Sequence, residues 1–288
     1  YYLKDSLKTA KQMRVDADKE KDNVDYPDFA TLEGERREAE ASLYITVKDA
    51  SGNIVRNVAA PNEKGVNRIT WNLLQSPQVA IANENSGSNP DRPSGTMVTP
   101  GNYTATLNSR VNGMVREMAG PVNFELVDVT ESALQGSSHA DSNSFQRDVA
   151  AARAMVTAAN TTIGDLMAKV NLYRVAMDRS NNAASLEAEY EALRQELYGI
   201  DEALNGERSR AGKGSRPATI GSRLGFANGA SNSTYGPTQQ AREQYGYAMD
   251  AFANVKSRLA TMTGTTVPAF EAALDGAGAP WVRGAELP

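Results

Sequence analysis

Carboxylates are the first residues in this sequence that suggest chemistry. They form two sets within one segment: Glu187, Glu189 and Glu191, followed by Asp201 and Glu202. Paired carboxylates can act as general acid and general base across a cleft, as in glycoside hydrolysis. That role requires burial to raise the pKa of one group. Helical spacing instead predicts that all five lie on solvated outer faces, and we expect no catalytic residue among them.

Nucleophiles and metal ligands are scarce. The sequence has no cysteine and a single histidine, His139. The lack of cysteine excludes thiolate nucleophiles, disulfides and Cys-ligated metals, and one histidine would need carboxylates to complete a metal site. His139 lies in a small, polar segment (GSSHAD) that is typical of a solvated linker. We therefore expect no metal and no cofactor.

Two glycine-containing segments suggest ligands only faintly. Residues 212–215 (GKGS) resemble part of a phosphate-binding loop, but the full Gly-x4-Gly-Lys-Ser/Thr order is not met and no strand precedes them. Asp49, Ser51 and Asn53 flank Gly52 and could hold calcium, yet no 12-residue loop ending in Glu follows. A flexible loop and a hairpin turn are the expected structures.

Aromatic residues are scattered through the polar parts of the chain. Such side chains stack on sugars or on a partner chain, but packing at domain junctions is the favoured interpretation. The residues are Tyr2, Tyr26, Phe226, Tyr235, Tyr245, Tyr247 and Trp281.

Composition limits the classes of function. The 288 residues contain 30 basic and 35 acidic side chains, a net charge of -5, which argues against a nucleic-acid partner. No apolar run is long enough to span a bilayer, and the first residues do not read as a signal peptide. The abrupt start at Tyr1 suggests a piece of a longer polypeptide, and the length predicts two domains.

Apolar spacing divides the chain in two. Up to about residue 130 it has period two, as at Leu43, Ile45 and Val47, with turns at 49–53 and at Asn112-Gly113. Further strands are expected at 64–73, with Trp71 in the core, at 100–107 and at 122–126, with a surface loop at 75–94.

After residue 130 the spacing becomes that of packed helices. Three apolar stripes separated by three and four residues predict an antiparallel helical hairpin, turning at Asn181-Asn182, and a third helix. A last short helix is expected at 268–274. The stripes are Phe145, Val149, Ala152, Val156, Ala159, Ile163, Leu166, Val170, Tyr173 and Met177; Leu186, Tyr190, Leu193, Leu197, Ile200 and Leu204; and Tyr245, Met249, Phe252, Val255, Leu259 and Met262.

The predicted fold is thus a multidomain β plus α chain, with a β-sandwich before a helical hairpin or three-helix bundle. The expected boundaries are a charged linker at 1–41, the sandwich at 42–130, a linker at 131–142, and the helices at 143–288, with a long loop at 206–236 and a C-terminal tail.

Three segments resemble the immunoglobulin-like (Ig-like) domain of the flagellar hook-cap protein: 45–56 (ITVKDASGNIVR), 65–73 (GVNRITWNL) and 100–107 (PGNYTATL). With 1–4 (YYLK) and 278–284 (GAPWVRG), their order is similar to the C-terminal region of large secreted bacterial proteins that carry sortilin-like, BNR-repeat β-propellers. Such proteins are often labelled glycosyl hydrolases. The resemblance implies an upstream propeller, with 1–41 at its exit and any catalytic carboxylates on it.

The functional expectation is a non-catalytic accessory or assembly region of a secreted, periplasmic or surface protein. Its partners would be the propeller, a protein partner or a second copy bound through the helices. The alternative is the C-terminal module of a propeller-type glycoside hydrolase, with carbohydrate binding as a third option.

Overall fold

The strands lie in the first half of the chain together with two short helices, and the long helices lie in the second half. The structure is a computed structural model that describes residues 1–81, 95–129, 136–207, 217–231 and 235–285. These residues form two compact units, 1–76 with 95–129 (the β unit) and 77–81 with 136–285 (the helical unit). The expected mixture of antiparallel sheet and helix is confirmed.

The β unit contains two antiparallel sheets and two short helices. A four-stranded sheet has the order β3-β2-β5-β6, and β1 pairs with β4. The elements are β1 (Tyr2–Leu3), α1 (Ala10–Asp18), α2 (Phe29–Arg37), β2 (Ser42–Asp49), β3 (Ile54–Ala60), β4 (Gly65–Val66), β5 (Gly101–Val111) and β6 (Met114–Leu126).

Both predicted hairpin turns are confirmed. Between β2 and β3, the Asp49 carboxylate accepts hydrogen bonds from the backbone N–H groups of Ser51 and Asn53, both at 2.9 Å. Between β5 and β6, Asn112 and Gly113 have φ angles of 47° and 72°. This left-handed pair is typical of a type I′ turn, whose twist matches that of the flanking strands.

The apolar core of the β unit is divided. Leu3, Leu43 and Leu107 form one buried cluster, which joins the β1–β4 ladder to the large sheet. A second cluster surrounds Val47 and Tyr103, and Trp71 packs against it.

The strand predicted at 64–73 is wrong beyond Val66, and Trp71 is only partly buried. Side chains in this segment bond to nearby backbone instead of allowing a ladder. Asn67 donates to the carbonyls of Glu63 and Gly65, and Asn72 accepts from the N–H of Leu74. Such local hydrogen bonds compete with strand pairing. Trp71 still contacts the rings of Tyr103 and Phe124 edge-on, with centroids 5.9 and 6.2 Å away.

Residues 1–41, assigned from the sequence to a separate linker, lie within the β unit. The buried Leu3 explains their attachment. The helices α1 and α2 contain no buried residue. Between them, the Arg14 guanidinium forms a two-pronged ion pair with Glu35, at 2.6 and 2.7 Å.

The two outer strands of the large sheet differ. At β3, the Val55 carbonyl accepts from the N–H of Ser76, so that edge is partly covered. The residues of β6 are mostly exposed, but its register with β5 shifts at two places between Ala105 and Asn108. Register shifts of this kind interrupt an edge and disfavour pairing with another strand.

The helical unit is built from long helices. These are α3 (His139–Met177), α4 (Ala183–Asn205), α5 (Ile220–Ala230), α6 (Gln239–Thr261), a π-helical turn (Met262–Thr266) and α7 (Val267–Gly276). The helix α3 begins four residues before the predicted boundary at 143, because the Ser138 hydroxyl caps it by accepting from the Asp141 N–H. Of the predicted linker 131–142, residues 131–135 lie outside the described residues.

One large apolar cluster joins these helices, and a smaller one, which includes Phe145 and Val149, lies near the start of α3. Every predicted position on α3 is buried except Val156, which is partly buried, and every predicted position on α4 is buried. The two helices run antiparallel, because Arg174 pairs with Glu187 near the turn and Asn205 bonds to Asn160 far from it. Positions of the third stripe, including Phe252, enter the same core.

The prediction of an extended loop at 206–236 is wrong for Ile220–Ala230, which form α5. Ile220, Leu224 and Ala227 are buried at helical spacing, and Thr219 caps the helix. Glycines on the exposed face lower the intrinsic helix propensity, but burial of the apolar face overrides it. Residues 208–216 and 232–234 of that predicted loop, and 82–94 of the earlier one at 75–94, lie outside the described residues.

The predicted last helix is confirmed as α7, and the tail after it is held on the helical unit. Val282 is buried in the main core. The Asn181 N–H donates to the Ala277 carbonyl, and Lys169 Nζ donates to the Gly284 carbonyl at 2.9 Å. The turn between α3 and α4 and the last quarter of α3 are therefore both bonded to the tail.

Candidate partner interface

The apolar stripes of the helical unit are used for packing inside the unit, so a binding site must be sought on its outer surface. Because all three predicted stripes contribute to one buried cluster, the seam between α3 and α4 is not an open surface. Within the described residues, no buried polar side-chain atom lacks a hydrogen-bond partner. A binding function of this unit must therefore use exposed faces and surface cavities.

A groove of about 310 Å³ runs between α3 and α6. These helices are parallel, since Phe145 of α3 contacts Tyr245 of α6, and Tyr173 further along α3 contacts Phe270 of α7. Both walls therefore follow the same direction. The groove is lined by Met155, Ala158, Ala159, Thr162, Phe252, Lys256, Leu259, Ala260 and Thr263.

The groove is apolar with one positive charge. Phe252 and Leu259 are buried side chains that it reaches, and alanines form much of the walls. Lys256 is the one charged residue that lines it, and it has no ion-pair partner among the described residues. Four other basic residues of this unit form ion pairs: Lys169 with Glu271, Arg174 with Glu187, Arg194 with Glu191 and Arg258 with Glu196.

The two threonines of the groove already have hydrogen-bond acceptors. The Thr162 hydroxyl donates to the Ala158 carbonyl, and the Thr263 hydroxyl donates to the Leu259 carbonyl, both at 3.0 Å. Thr263 belongs to the π-helical turn, and π turns within helices are frequent at functional sites. Lys256 is thus the main polar feature available to a ligand.

A second cavity, of about 270 Å³, lies between the end of α4 and the start of α5. Glu202, Arg223 and Thr219 are among its lining residues. Arg223 is held by Gln244, to which it donates at 2.6 Å, and it lies over the ring of Tyr247. Glu207 and Pro217 also line it, and the residues that join them lie outside the described part of the chain.

A partly buried polar cluster joins α3 to α7. The Tyr173 hydroxyl donates to Glu271 at 2.6 Å, and Lys169 forms an ion pair with the same carboxylate oxygen at 2.5 Å. Tyr173 is 0% exposed, and burial together with the Glu271 carboxylate raises its pKa. Neither cavity described above is lined by these residues. The role of this cluster is therefore to hold α3 and α7 together, and it is not part of a candidate binding site.

The predicted carboxylates do not form an acid and base pair. Glu187 and Glu191 are exposed, and each forms an ion pair with an arginine. Hydrogen bonds from Gln195 and, to a smaller extent, from Arg194 lower the pKa of the Glu191 carboxyl. Glu189 and Glu202 are also exposed.

Asp201 is the exception, because it is only 4% exposed and the prediction of an outer face is wrong for it. It lies four residues after Leu197 and three before Leu204, on the buried stripe, and it accepts a hydrogen bond from Asn205. The stripe spacing could have identified it.

The remaining candidates are also spread apart. His139 is the first residue of α3, not part of a linker. The oxygens of Asp49 are occupied by the turn that includes Asn53, which also lowers the pKa of the carboxyl. Residues 212–215 lie outside the described residues. No set of three acidic or histidine side chains in the described part of the chain has the arrangement of a metal site.

The scattered aromatic residues divide into two groups. Tyr245 packs on Phe145 within the helical unit, as expected for a packing role. Tyr2, Tyr26, Phe226, Tyr235, Tyr247 and Trp281 are exposed. Phe29 of α2, which no sequence pattern indicates as a binding residue, is 84% exposed.

Among the described helices, none combines the length and apolar character that crossing a membrane requires. Comparison with family models, with curated proteins and with solved structures gave no match in any of the three.

Proposed function

We propose that this chain is a non-catalytic accessory and assembly region of a larger secreted or cell-surface protein, and that its helical unit presents a surface for a protein partner. The observation that carries the proposal is the closed helical core beside an apolar groove with one unpaired cation. The core uses all three apolar stripes for internal packing, so the groove remains free for binding.

The β unit supports the structural part of the proposal. We infer an Ig-like sandwich in which the β1–β4 ladder is the counterpart of the four-stranded sheet. Leu3 of the ladder packs on Leu43 and Leu107 of that sheet, and this apolar contact supports an arrangement in two layers. The exposed residues of α1 and α2 then form a second surface, suited to a neighbouring domain such as the propeller implied by the resemblance.

Carbohydrate binding is a second candidate, within a propeller-type glycoside hydrolase. The observation in its favour is the set of exposed aromatic residues, of which Tyr247 is stacked with Arg223 in the helical unit. Aromatic faces of this kind bind the apolar faces of sugars. A glycan array probed with the wild-type chain and with Tyr247→Ala would separate the candidates, because assembly through the groove requires no glycan and is unaffected by that change.

The main proposal is tested by turnover. The purified chain should hydrolyse no chromogenic glycoside, peptide or phosphate ester, because the described residues show no arrangement of nucleophile and base. A hydrolysis rate that co-purifies with the chain and disappears on a single substitution would overturn the proposal.

A further inference from the structure

We infer that the groove between α3 and α6 binds one amphipathic helix of a protein partner, with its apolar side chains in the groove and a carboxylate on Lys256. This inference rests on the proposed function, because it names the partner chemistry of the same surface. Three properties of the groove support it: its shape, its polarity and its charge.

The shape favours a helix. Two parallel helices form the walls over the interval from Met155 to Thr162 on α3 and from Phe252 to Thr263 on α6. The seven-residue interval on α3 spans about 10 Å at the α-helical rise, or about two turns of a docked helix. Helices pack into grooves of this kind through apolar residues at three- and four-residue spacing.

The polarity disfavours a small polar ligand. Such a ligand needs several convergent hydrogen-bonding groups to fix its orientation. The hydroxyls of Thr162 and Thr263 donate to backbone carbonyls of their own helices, and the other lining residues apart from Lys256 are apolar. Alanines on both walls allow another helix to approach closely, and the flexible Met155 can adapt to its side chains.

The charge specifies the partner. Lys256 is exposed at the groove and has no carboxylate partner among the described residues. A helix with a Glu beside its apolar stripe would supply one, whereas a basic helix would be repelled. The net charge of -5 argues against a nucleic acid as the occupant.

The experiment uses the full chain and two labelled probe peptides in fluorescence anisotropy. Both peptides are helical, capped at their ends and about four turns long. They carry the same leucine stripe, and they differ only in having Glu or Lys at the flanking positions. We expect the Glu peptide to bind, the Lys peptide to bind at least about fivefold more weakly, and Lys256→Glu to reverse this preference.

Two further variants serve as the groove test and the matched control. Ala158→Phe fills the groove from an exposed position without adding charge, and it should weaken the Glu peptide by at least about tenfold. Lys48→Glu makes the same change of charge at an exposed position in the β unit, and it should leave binding unchanged. Circular dichroism melts check that every variant remains folded.

Several outcomes would overturn the inference. These are failure of the wild-type chain to bind the Glu peptide, equal effects of Lys48→Glu and Lys256→Glu, or no effect of Ala158→Phe. A concentration-dependent dimer in sedimentation velocity that Ala158→Phe abolishes would also overturn it, since the occupant would then be a second copy. These peptide-binding results say nothing about hydrolysis. The proposed non-catalytic role is tested by the hydrolysis assays alone, so the two proposals can be rejected independently.

Discussion

The two units of this chain have cores of different form. In the β unit the buried apolar residues fall into two small clusters, around Leu43 and around Val47. In the helical unit one large cluster extends along α3 from Ala152 to Met177 and includes residues of each of the other helices, and a small second cluster lies around Phe145 and Val149. A single substitution should therefore have a wide effect in the helical unit and a local one in the β unit. Trp71 and Trp281, the two tryptophans of the sequence, provide a fluorescence signal for each unit.

The largest effect is expected from Ile163→Asp. Ile163 is 2% exposed at mid-length of α3, and the substitution buries a carboxylate without a partner. The free energy of unfolding of the helical unit should fall by more than about 4 kcal/mol. Far-ultraviolet circular dichroism should show loss of helix, while Trp71 emission in a Trp281→Phe background should keep the transition of the β unit.

Gly164→Asp is the matched control for that prediction. Gly164 is exposed on the same helix, and a side chain added there meets no atom within 4 Å. It should melt like the wild type. If Ile163→Asp also retains its helical signal and its transition, the proposed core is wrong, and with it the contrast between the units.

The second effect is expected in the β unit. Trp71→Ala removes two edge-on aromatic contacts and the indole hydrogen bond to the Leu74 carbonyl. Because the ring is only partly buried, the cost should be about 2 to 3 kcal/mol, below the range for a fully buried aromatic. Urea unfolding monitored through the hydrogen exchange of the backbone amides of β2 and β5 would measure it. A midpoint equal to that of wild type would contradict the role of Trp71 in the cluster around Val47.

The third effect concerns the polar cluster of the helical unit. Tyr173→Phe removes the hydrogen bond to Glu271 and should cost about 1 to 2 kcal/mol at neutral pH. In the wild type the fold raises the pKa of Tyr173 above its ordinary value of 10.0, so it favours the neutral phenol. The stabilisation from that preference is complete below about pH 10 and is lost as the pH rises further. Thermal melts should show a smaller alkaline loss for Tyr173→Phe than for the wild type; parallel losses would exclude the linkage.

The smallest effect is expected from Glu35→Gln. Its side chain is 6% exposed and receives both bonds from Arg14, which lowers the pKa of the Glu35 carboxyl. The Glu35 side chain is covered, but no residue of α1 or α2 is buried as a whole. Losing this pair should therefore increase amide hydrogen exchange in both helices without shifting the main transition of the β unit. A shift of that transition would show that the two helices are part of the β core.

The difference between the units also explains what the sequence could predict. A stripe such as Leu186 to Leu204 depends on spacing within one segment, so the long helices and their buried faces could be predicted. The irregular segment around Trp71 could not be predicted. The side chains of Asn67 and Asn72 form hydrogen bonds to nearby backbone groups there instead of a strand ladder, and the sequence alone does not decide between the two.

The helix α5 was missed for a different reason. Its glycines indicate a loop, and only the three buried positions reveal an apolar face. The groove could not be predicted either, since it depends on the distance between two helices that lie far apart in the sequence. The sequence does indicate that Lys256 lies at the border of the apolar stripe, because it directly follows the buried Val255.

The π-helical turn between α6 and α7 has a consequence for how the chain tolerates changes in length. Buried residues along this stretch are separated by three residues from Leu259 to Met262, by five to Val267, and then by three and four to Phe270 and Leu274. The π-helical turn contains one residue more than an α-helical turn would, so Met262 and Val267 both face the core although they are five residues apart. Removing Gly264, whose surroundings are open, would leave steps of three, four, three and four in a continuous α-helix. This point can therefore lose one residue while Phe270 keeps its place on Tyr173, whereas the same deletion in the middle of α3 would turn half of its apolar face towards solvent.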